Sequence, residues 1–304
     1  MAADVATPEA VVAREAAGRG RAAAAAAVSG LLSLGGSIGF ALALHDRPHV
    51  LVADALRDAA GEPVRDGGLR SAQVLFYDDH STALVGIAIA LGLGAVALIV
   101  PLLYLYRAAR ARRSQTPNVA LVMAVAGPIA LAVAQLLLQG GLAVRAHDFV
   151  TSADHGSQAA HDVFSHGAVL VGQLLWQASV IAIGFAFVVI CLNAMRAGLL
   201  TRFMGILGII VGVLFVIPIG SPLPIVQTFW LLALAALIAG RWPNGVPPAW
   251  RAGVAVPWPS QQDLRAARER AAPPAPQDEE PASPRREKQS SRPPAASKKK
   301  RRRR

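Results

Sequence analysis

The chain has little of what a soluble protein normally carries. It contains one cysteine in 304 residues, Cys191, so an intramolecular disulfide is impossible. Charged residues make up 16% of the sequence, against about 25% in typical soluble domains. These shortages exclude a disulfide-bonded secreted scaffold and argue against a water-soluble domain of this length.

Charge is absent from six long apolar blocks. A transmembrane helix needs about 20 mostly apolar residues, and 54% of this chain is apolar. The sequence therefore predicts an all-α fold: a polytopic membrane helix bundle of about six transmembrane helices with a disordered basic C-terminal tail. The blocks cover residues 23–44, 83–106, 119–143, 168–195, 203–220 and 223–240.

Three parts of the chain follow from these blocks. Residues 1–22 are expected to form a cytoplasmic N-terminal segment, and residues 23–240 the transmembrane domain, with outer loops at 45–82 and 144–167. Residues 241–304 begin with tryptophans and prolines, which are typical of a segment along the headgroup region, and become polybasic. The first block also resembles a signal peptide that is cleaved after Ala43. It is longer than such a segment should be, and we expect it to be retained.

Arginine is distributed unevenly between the two sides of the predicted bundle. Three arginines precede the first block, four lie between the second and third blocks, and two follow the fourth. In contrast, residues 45–82 hold four basic against seven acidic residues, and residues 144–167 hold one against three. Cytoplasmic loops are enriched in Lys and Arg. The pattern predicts a multi-pass protein of the cell membrane with both termini in the cytoplasm.

Most of the net charge of +11 comes from the tail, which contains sixteen basic and six acidic residues from position 241 onward. Each terminal cation near an anionic membrane surface contributes about 1 kcal/mol, so anionic lipid head groups are the expected partner. RNA binding through phosphates is the alternative. The blocks lack the in-membrane arginine of a basic-tailed insertase, and nucleic acid is not an expected partner. The run consists of Lys298, Lys299, Lys300, Arg301, Arg302, Arg303 and Arg304.

No Asp, Glu, Lys or Arg lies well inside the blocks, which argues against a proton relay or an ion-coupled carrier. Glutamines are present instead, one turn apart, in the third and fourth blocks. Two hypotheses stay open: the amides join helices by hydrogen bonds, which we favour, or they line an outward-facing vestibule. A fourth helix starting near residue 158 would align its polar groups within about 60°. The predicted stripe comprises Gln135, Gln139, Asp162, His166, Gln173 and Gln177.

All seven histidines fall between positions 45 and 166, on the predicted outer side. Asp162 and His166 have the i, i+4 spacing that can place two ligands on one metal ion, which makes them weak metal candidates. No HExxH or cysteine-containing pattern accompanies them. We therefore expect solvated histidines, with no metal, no cofactor and no catalytic residue.

Glycines four residues apart occur in two blocks, at Gly35 and Gly39 and at Gly208 and Gly212. Such spacing lets helices approach closely. It predicts either packing within the chain, which we favour, or helix-mediated self-association. In the third block, Pro128 is expected to kink the helix.

Residues 101–113 read PLLYLYRAARARR, and residues 199–208 read LLTRFMGILG. Both segments resemble an uncharacterised family of actinobacterial-type polytopic membrane proteins. The resemblance extends over most of residues 23–240 and excludes the tail. Because that family has no assigned function, the resemblance implies the architecture and no activity.

The leading functional hypothesis is a non-enzymatic accessory or interaction protein of the cell envelope that contacts the lipid bilayer. The alternative is a transporter or ligand sensor with an outward-facing polar vestibule. A metal-dependent membrane enzyme that uses the outer-loop histidines is the third hypothesis.

Overall fold

The computed structural model describes residues 7–48, 57, 60, 70–153, 156–165, 167–217, 223–243, 245–258, 265 and 270. Every regular element in these ranges is an α-helix. In chain order they are α1 (Pro8–Ala43), α2 (Ser71–Asp79), α3 (Ser81–Arg112), α4 (Asn118–Thr151), α5 (Ser157–Ser165), α6 (Gly167–Arg196), α7 (Arg202–Val216), α8 (Ile225–Ile238) and the single turn α9 (Ala249–Ala252).

The first helix begins about four turns before its apolar block. Thr7 caps it, since its hydroxyl accepts a hydrogen bond from the Ala10 amide at 3.4 Å. Pro8 occupies the first turn, where its missing N–H costs nothing. An alanine-rich stretch then continues the helix into the block. Residues 8–22, expected to form a separate segment, are thus the first part of α1.

Four helices are long and apolar enough to cross a membrane: α1, α3, α4 and α6. They indicate a membrane-embedded protein. The helices α7 and α8 are apolar but have only 15 and 14 residues. At 1.5 Å per residue they are about 20 Å long, against a hydrocarbon core of about 30 Å.

Packing follows the order of the chain. The helix α1 packs on α3, α3 on α4, α4 on α6, and α6 on α7. The short helix α8 returns to pack on α1, while α3 also touches α6. Arg112, Asn118 and Arg196 lie at one end of the bundle, which we call the arginine end. His45, His80 and His147 lie at the other, the histidine end.

The half of the bundle nearer the arginine end is closely packed. Trp230 of α8 is fully buried against Phe187 of α6, with ring centroids 5.1 Å apart. The helices α6 and α7 cross at Gly184 and Gly212, where a Cβ on Gly184 would lie 2.5 Å from the Gly212 carbonyl oxygen. A Cβ on Gly208 would meet Cys191 and Trp230 of the same chain. The α7 glycines thus serve packing within the chain, as favoured.

The two glycines singled out in α1 differ. A Cβ on Gly39 would lie 3.4 Å from Ile87 of α3, whereas a Cβ on Gly35 would meet nothing within 4 Å. The tighter contact belongs to the neighbouring Gly36, next to Leu91. Self-association through Gly35 stays a prediction.

A second apolar cluster covers the histidine end of α3, α4 and α6. The short helix α2 contributes Val74 and Tyr77, and α5 contributes Val163, packed with Leu142 and Phe149 of α4. Parts of both predicted outer loops are therefore folded helices on the end of the bundle.

The chain divides after Trp258, into Met1–Trp258 and Pro259–Arg304. This boundary lies 18 residues beyond the predicted end of the transmembrane domain at residue 240, because α9 and the residues after it pack on the helices. Residues 298–304 lie outside the described part of the chain.

Candidate functional site

A buried ion pair lies at the arginine end. The Arg112 guanidinium donates through Nη2 to the Glu15 carboxylate at 3.0 Å and to the Ala249 carbonyl at 2.8 Å. Its Nη1 also pairs with Glu15. The Arg112 side chain is fully enclosed and that of Glu15 is 10% exposed. Arg112 of α3 is thereby joined to α1 by the ion pair and to α9 by the hydrogen bond to Ala249.

Trp250 completes this arginine-end cluster, which consists of Glu15, Tyr104, Arg112 and Trp250. Its ring stacks on Tyr104 with centroids 5.5 Å apart and lies 5.7 Å from the Arg112 guanidinium carbon. Its indole N–H donates to the Leu199 carbonyl at 2.8 Å. Trp250 is 2% exposed, so its ring is covered by protein; a location of this segment along the headgroup region stays a prediction.

Hydrogen bonds attach the residues after α9 to the connection between α6 and α7. The Val256 amide donates to the Ala197 carbonyl at 3.2 Å, and the Trp258 indole to the Leu200 carbonyl at 2.8 Å. Gly253 has a φ of 67° and lies against the Pro8 carbonyl, a conformation and a closeness that favour glycine. The arginine end is thus closed by a folded segment.

The four glutamines of the predicted stripe are in different surroundings. Gln139 is 9% exposed and its buried Oε1 has no hydrogen-bond partner. Gln135 is half-buried, while Gln173 and Gln177 are exposed. No hydrogen bond in the described part of the chain joins the α4 pair to the α6 pair.

Gln173 and Gln177 lie on the side of α6 that packs on α7 further along the helix. They precede Gly184 by eleven and seven residues, which places each within about 20° of the Gly184 direction. Gly184 is the crossing point with α7. The two glutamines therefore point to where α7 would continue if it were longer.

The described part of α7 ends too early to cover them. Val216, its last residue, already contacts Gly184. From Gly184, α6 continues for 17 residues to Gly167, about 25 Å at 1.5 Å per residue. Among the described residues, about 20 Å of this side of α6 has no part of α7 beside it. Trp176 supports this geometry: it lies in line with Ile183 and Ile190, which are fully buried, yet it is 37% exposed.

The facing side of the gap belongs to α1. Gly30 contacts Leu231 of α8, and its carbonyl accepts a hydrogen bond from the Thr228 hydroxyl at 3.3 Å. Since α8 begins at Ile225, three residues before Thr228, it extends only about 5 Å past Gly30 along α1. Ser37, seven residues on, lies within about 20° of the Gly30 direction and is half-buried.

We call this gap the glutamine recess. Its walls are the uncovered sides of α1 and α6, and its floor is formed by the ends of α7 and α8, where Gln227 is half-buried. Four neutral hydrogen-bonding side chains define it: Ser37, Gln173, Gln177 and Gln227.

The rest of the predicted stripe is separate. Asp162 belongs to α5, is exposed and accepts a hydrogen bond from Gln158 at 3.1 Å. His166 falls between α5 and α6, outside the described residues. The two helices are described as separate elements, so one continuous stripe from Asp162 to Gln177 is not what the structure describes.

The histidine end carries scattered polar contacts. His147 Nδ1 lies 3.4 Å from an Asp78 oxygen, and the His80 ring stacks on Phe76. Among the described residues, no group of three or more His, Cys, Asp or Glu could hold a metal ion. The pairing of Asp162 with His166 stays a prediction.

No protein-family model, curated protein or solved structure matches this chain. The four long apolar helices define a helical membrane-embedded protein.

Two features went unnoticed in the sequence. Glu15 is an acidic residue among the arginines of the first segment, and this pattern could have indicated an ion pair. Its partner Arg112 is 97 positions away, and one of several arginines in its loop. The recess depends on the lengths of α7 and α8, which the apolar blocks overestimated.

Proposed function

We propose that this chain is a non-enzymatic accessory protein of the cell envelope that binds an uncharged, hydrogen-bonding ligand or partner segment in the glutamine recess. The arginine end faces the cytoplasm, and α7 and α8 complete six spans as a short pair. One observation carries the proposal: Gln173 and Gln177 occupy the side of α6 that α7 covers only further along.

The cost of exposing amides to lipid supports this interpretation. An amide without a hydrogen-bond partner in an apolar medium costs several kcal/mol. The described ends of α7 and α8 add backbone groups that need partners, since helix termini leave four carbonyls or amides without intrahelical partners. Water or a polar partner in the recess satisfies both sets. Neutral donors and acceptors in its walls favour a neutral occupant.

The closed arginine end favours binding over transport. A carrier opens alternately to both sides, whereas here the buried ion pair and Trp250 fix α1, α3 and the segment after α8 together. The recess above a closed half also fits one state of a transporter, which is the second candidate. Movement of the arginine-end cluster during a transport cycle would distinguish it.

The polybasic run at residues 298–304 complements this arrangement. We propose that it holds the C-terminal tail at anionic lipids of the inner leaflet, where surface attraction decays within about 8 Å at physiological ionic strength.

Cysteine labelling from outside the cell tests the recess. Starting from a Cys191→Ala variant, single cysteines replace Gln173 and Gln177, and intact cells receive a membrane-impermeant charged thiol reagent. Both positions are expected to react rapidly, because the recess is open to water on the outer side. A ligand that fills the recess is expected to slow the reaction.

Two controls share the exposure but not the location. Val171 is 54% exposed and lies about 120° or more round α6 from both glutamines, so Val171→Cys should face lipid and remain unlabelled. Ser114 is exposed in the connection between α3 and α4, and Ser114→Cys should react only after the cells are opened. Labelling of Val171→Cys as fast as Gln177→Cys would exclude a distinct recess. Labelling of Ser114→Cys in intact cells would show that the arginine end faces outside, contrary to the proposed orientation.

A further inference from the structure

An apolar groove runs along α4 in the half of the bundle nearer the arginine end. It has a volume of about 530 Å³ and is lined by Leu121, Val122, Val125, Ala126, Ile129, Ala130, Val133 and Leu175. The lining spans 13 residues of α4, or about 20 Å. Such a groove on a membrane-facing surface has the dimensions of an extended hydrocarbon chain.

The groove is shaped by small residues between larger ones. Ala126 and Ala130 leave space between the larger Val122, Ile129 and Val133, which are 60%, 46% and 43% exposed. Pro128 lies inside α4 and is buried, and the kink expected there stays a prediction.

A cation lies at one end of the groove. Asn118, the first residue of α4, lies within about 40° of the Ile129 direction and so on the groove's side of the helix. The Arg110 guanidinium donates to the Asn118 Oδ1 and to the Tyr106 hydroxyl, the latter at 2.6 Å. These described partners are neutral, so the charge of Arg110 is not compensated by them. Arg107, one turn earlier, is also exposed.

We propose that one anionic phospholipid binds here, with its phosphate at Arg110 and Asn118 and one acyl chain along the groove. Charge and shape select this occupant together. A neutral helix from a second copy would fill the groove but leave Arg110 without a counter-ion, and free phosphate would leave the groove uncovered. The orientation proposed above determines only which leaflet supplies the lipid.

Native mass spectrometry of the full-length protein in detergent tests the site. The protein is incubated with phosphatidylglycerol or with phosphatidylcholine of the same acyl chains, and retained lipids are counted. The protein is expected to retain phosphatidylglycerol preferentially. Arg110→Gln should lower retention about fivefold, corresponding to about 1 kcal/mol for one cation. Arg110→Lys should restore part of it.

The polybasic tail also attracts anionic lipid, so a second variant leaves every charge in place. Ala126→Leu fills the groove and should lower phosphatidylglycerol retention, whereas a tail-bound lipid is indifferent to it. Ala41→Leu, at an exposed alanine of α1, is its matched control, and Arg251→Gln is the control for lost charge. Both controls should retain lipid like the unmodified protein.

Three results would overturn the proposal. Equal retention of the two lipids would show that the protein recognises the acyl chain alone and not the charge of the head group. Unchanged retention in both Arg110→Gln and Ala126→Leu would locate the lipid elsewhere. Loss of a dimer in Ala126→Leu without loss of lipid would make the groove an interface between copies. Because the measurement is made in detergent, its failure leaves the recess and its labelling test untouched.

Discussion

The two halves of this bundle differ in the kind of polar side chain they contain and in how those side chains are surrounded. At the arginine end, one ion pair is enclosed: Arg112 pairs with Glu15 and also donates to the Ala249 carbonyl. In the half nearer the histidine end, neutral amides stand at an uncovered surface or, as at Gln139, are buried without a partner for one oxygen. Enclosed charge requires a fixed geometry, while exposed amides accept exchangeable partners. The difference separates a structural region from a candidate binding region.

Helix length produces this difference. All six helices reach the arginine end, whereas α7 and α8 stop about 20 Å short of the far end of α6. Six packed helices enclose Trp230 and Phe187 completely. Beyond the described ends of α7 and α8, the sides of α1 and α6 that would face these helices have neither helix beside them.

The largest expected effect comes from breaking the ion pair. Removing one partner of a buried pair leaves an uncompensated charge and typically costs 3–5 kcal/mol. We therefore expect Glu15→Gln to lower the free energy of unfolding by about 3 kcal/mol, measured by denaturant titration in mixed micelles. The double variant Glu15→Leu with Arg112→Met should recover most of this loss, because no charge then remains buried.

Glu9 provides the control. It lies in the first turn of the same helix and is exposed, so Glu9→Gln should change stability by less than about 0.5 kcal/mol. Equal losses in Glu9→Gln and Glu15→Gln would show that net charge, and not the enclosed pair, determines the stability of this end.

A smaller effect is expected at the crossing of α6 and α7. In Gly184→Ala the new methyl group would lie 2.5 Å from the Gly212 carbonyl oxygen, so the helices must separate, at a cost of about 1–3 kcal/mol. Gly35→Ala is the matched change where nothing lies within 4 Å. It should be neutral or slightly stabilising, since alanine is the better helix former. Thermal unfolding of both variants measures the contrast, and equal losses would refute the close crossing.

The sequence was sufficient for the coarse architecture and for part of the recess. Uncharged blocks predicted helices because a spanning segment must satisfy its own backbone, and five of them, those corresponding to α3, α4, α6, α7 and α8, overlap described helices closely. The start of α1 was missed because charged residues interrupt the apolar pattern before residue 22, although alanine, glutamate and arginine all favour helix. The glutamines were recognised, but not which helices they face. That depends on where α7 ends, and the apolar blocks extend past the C-terminal end of α7 and past both ends of α8.

The smallest effects are expected at the glutamines, and they decide whether these amides join helices or line an open recess. If Gln173 and Gln177 are hydrated, Gln173→Leu and Gln177→Leu should each change stability by less than about 0.5 kcal/mol. Combined with Gln135→Leu or Gln139→Leu, their effects should add, since residues without contact show no coupling.

Gln139 should behave differently from the recess pair, because its buried oxygen has no partner. Gln139→Leu removes a group already unsatisfied, so we expect it to be neutral or to stabilise the protein by up to about 1 kcal/mol. If the amides instead join α4 to α6, every single change should cost about 1–3 kcal/mol and the paired changes should recover most of that loss. A double-mutant cycle across Gln139 and Gln173 measures this directly. Strong coupling there would contradict the recess, whereas additivity together with a stabilising Gln139→Leu would show that the two glutamine pairs face different surroundings.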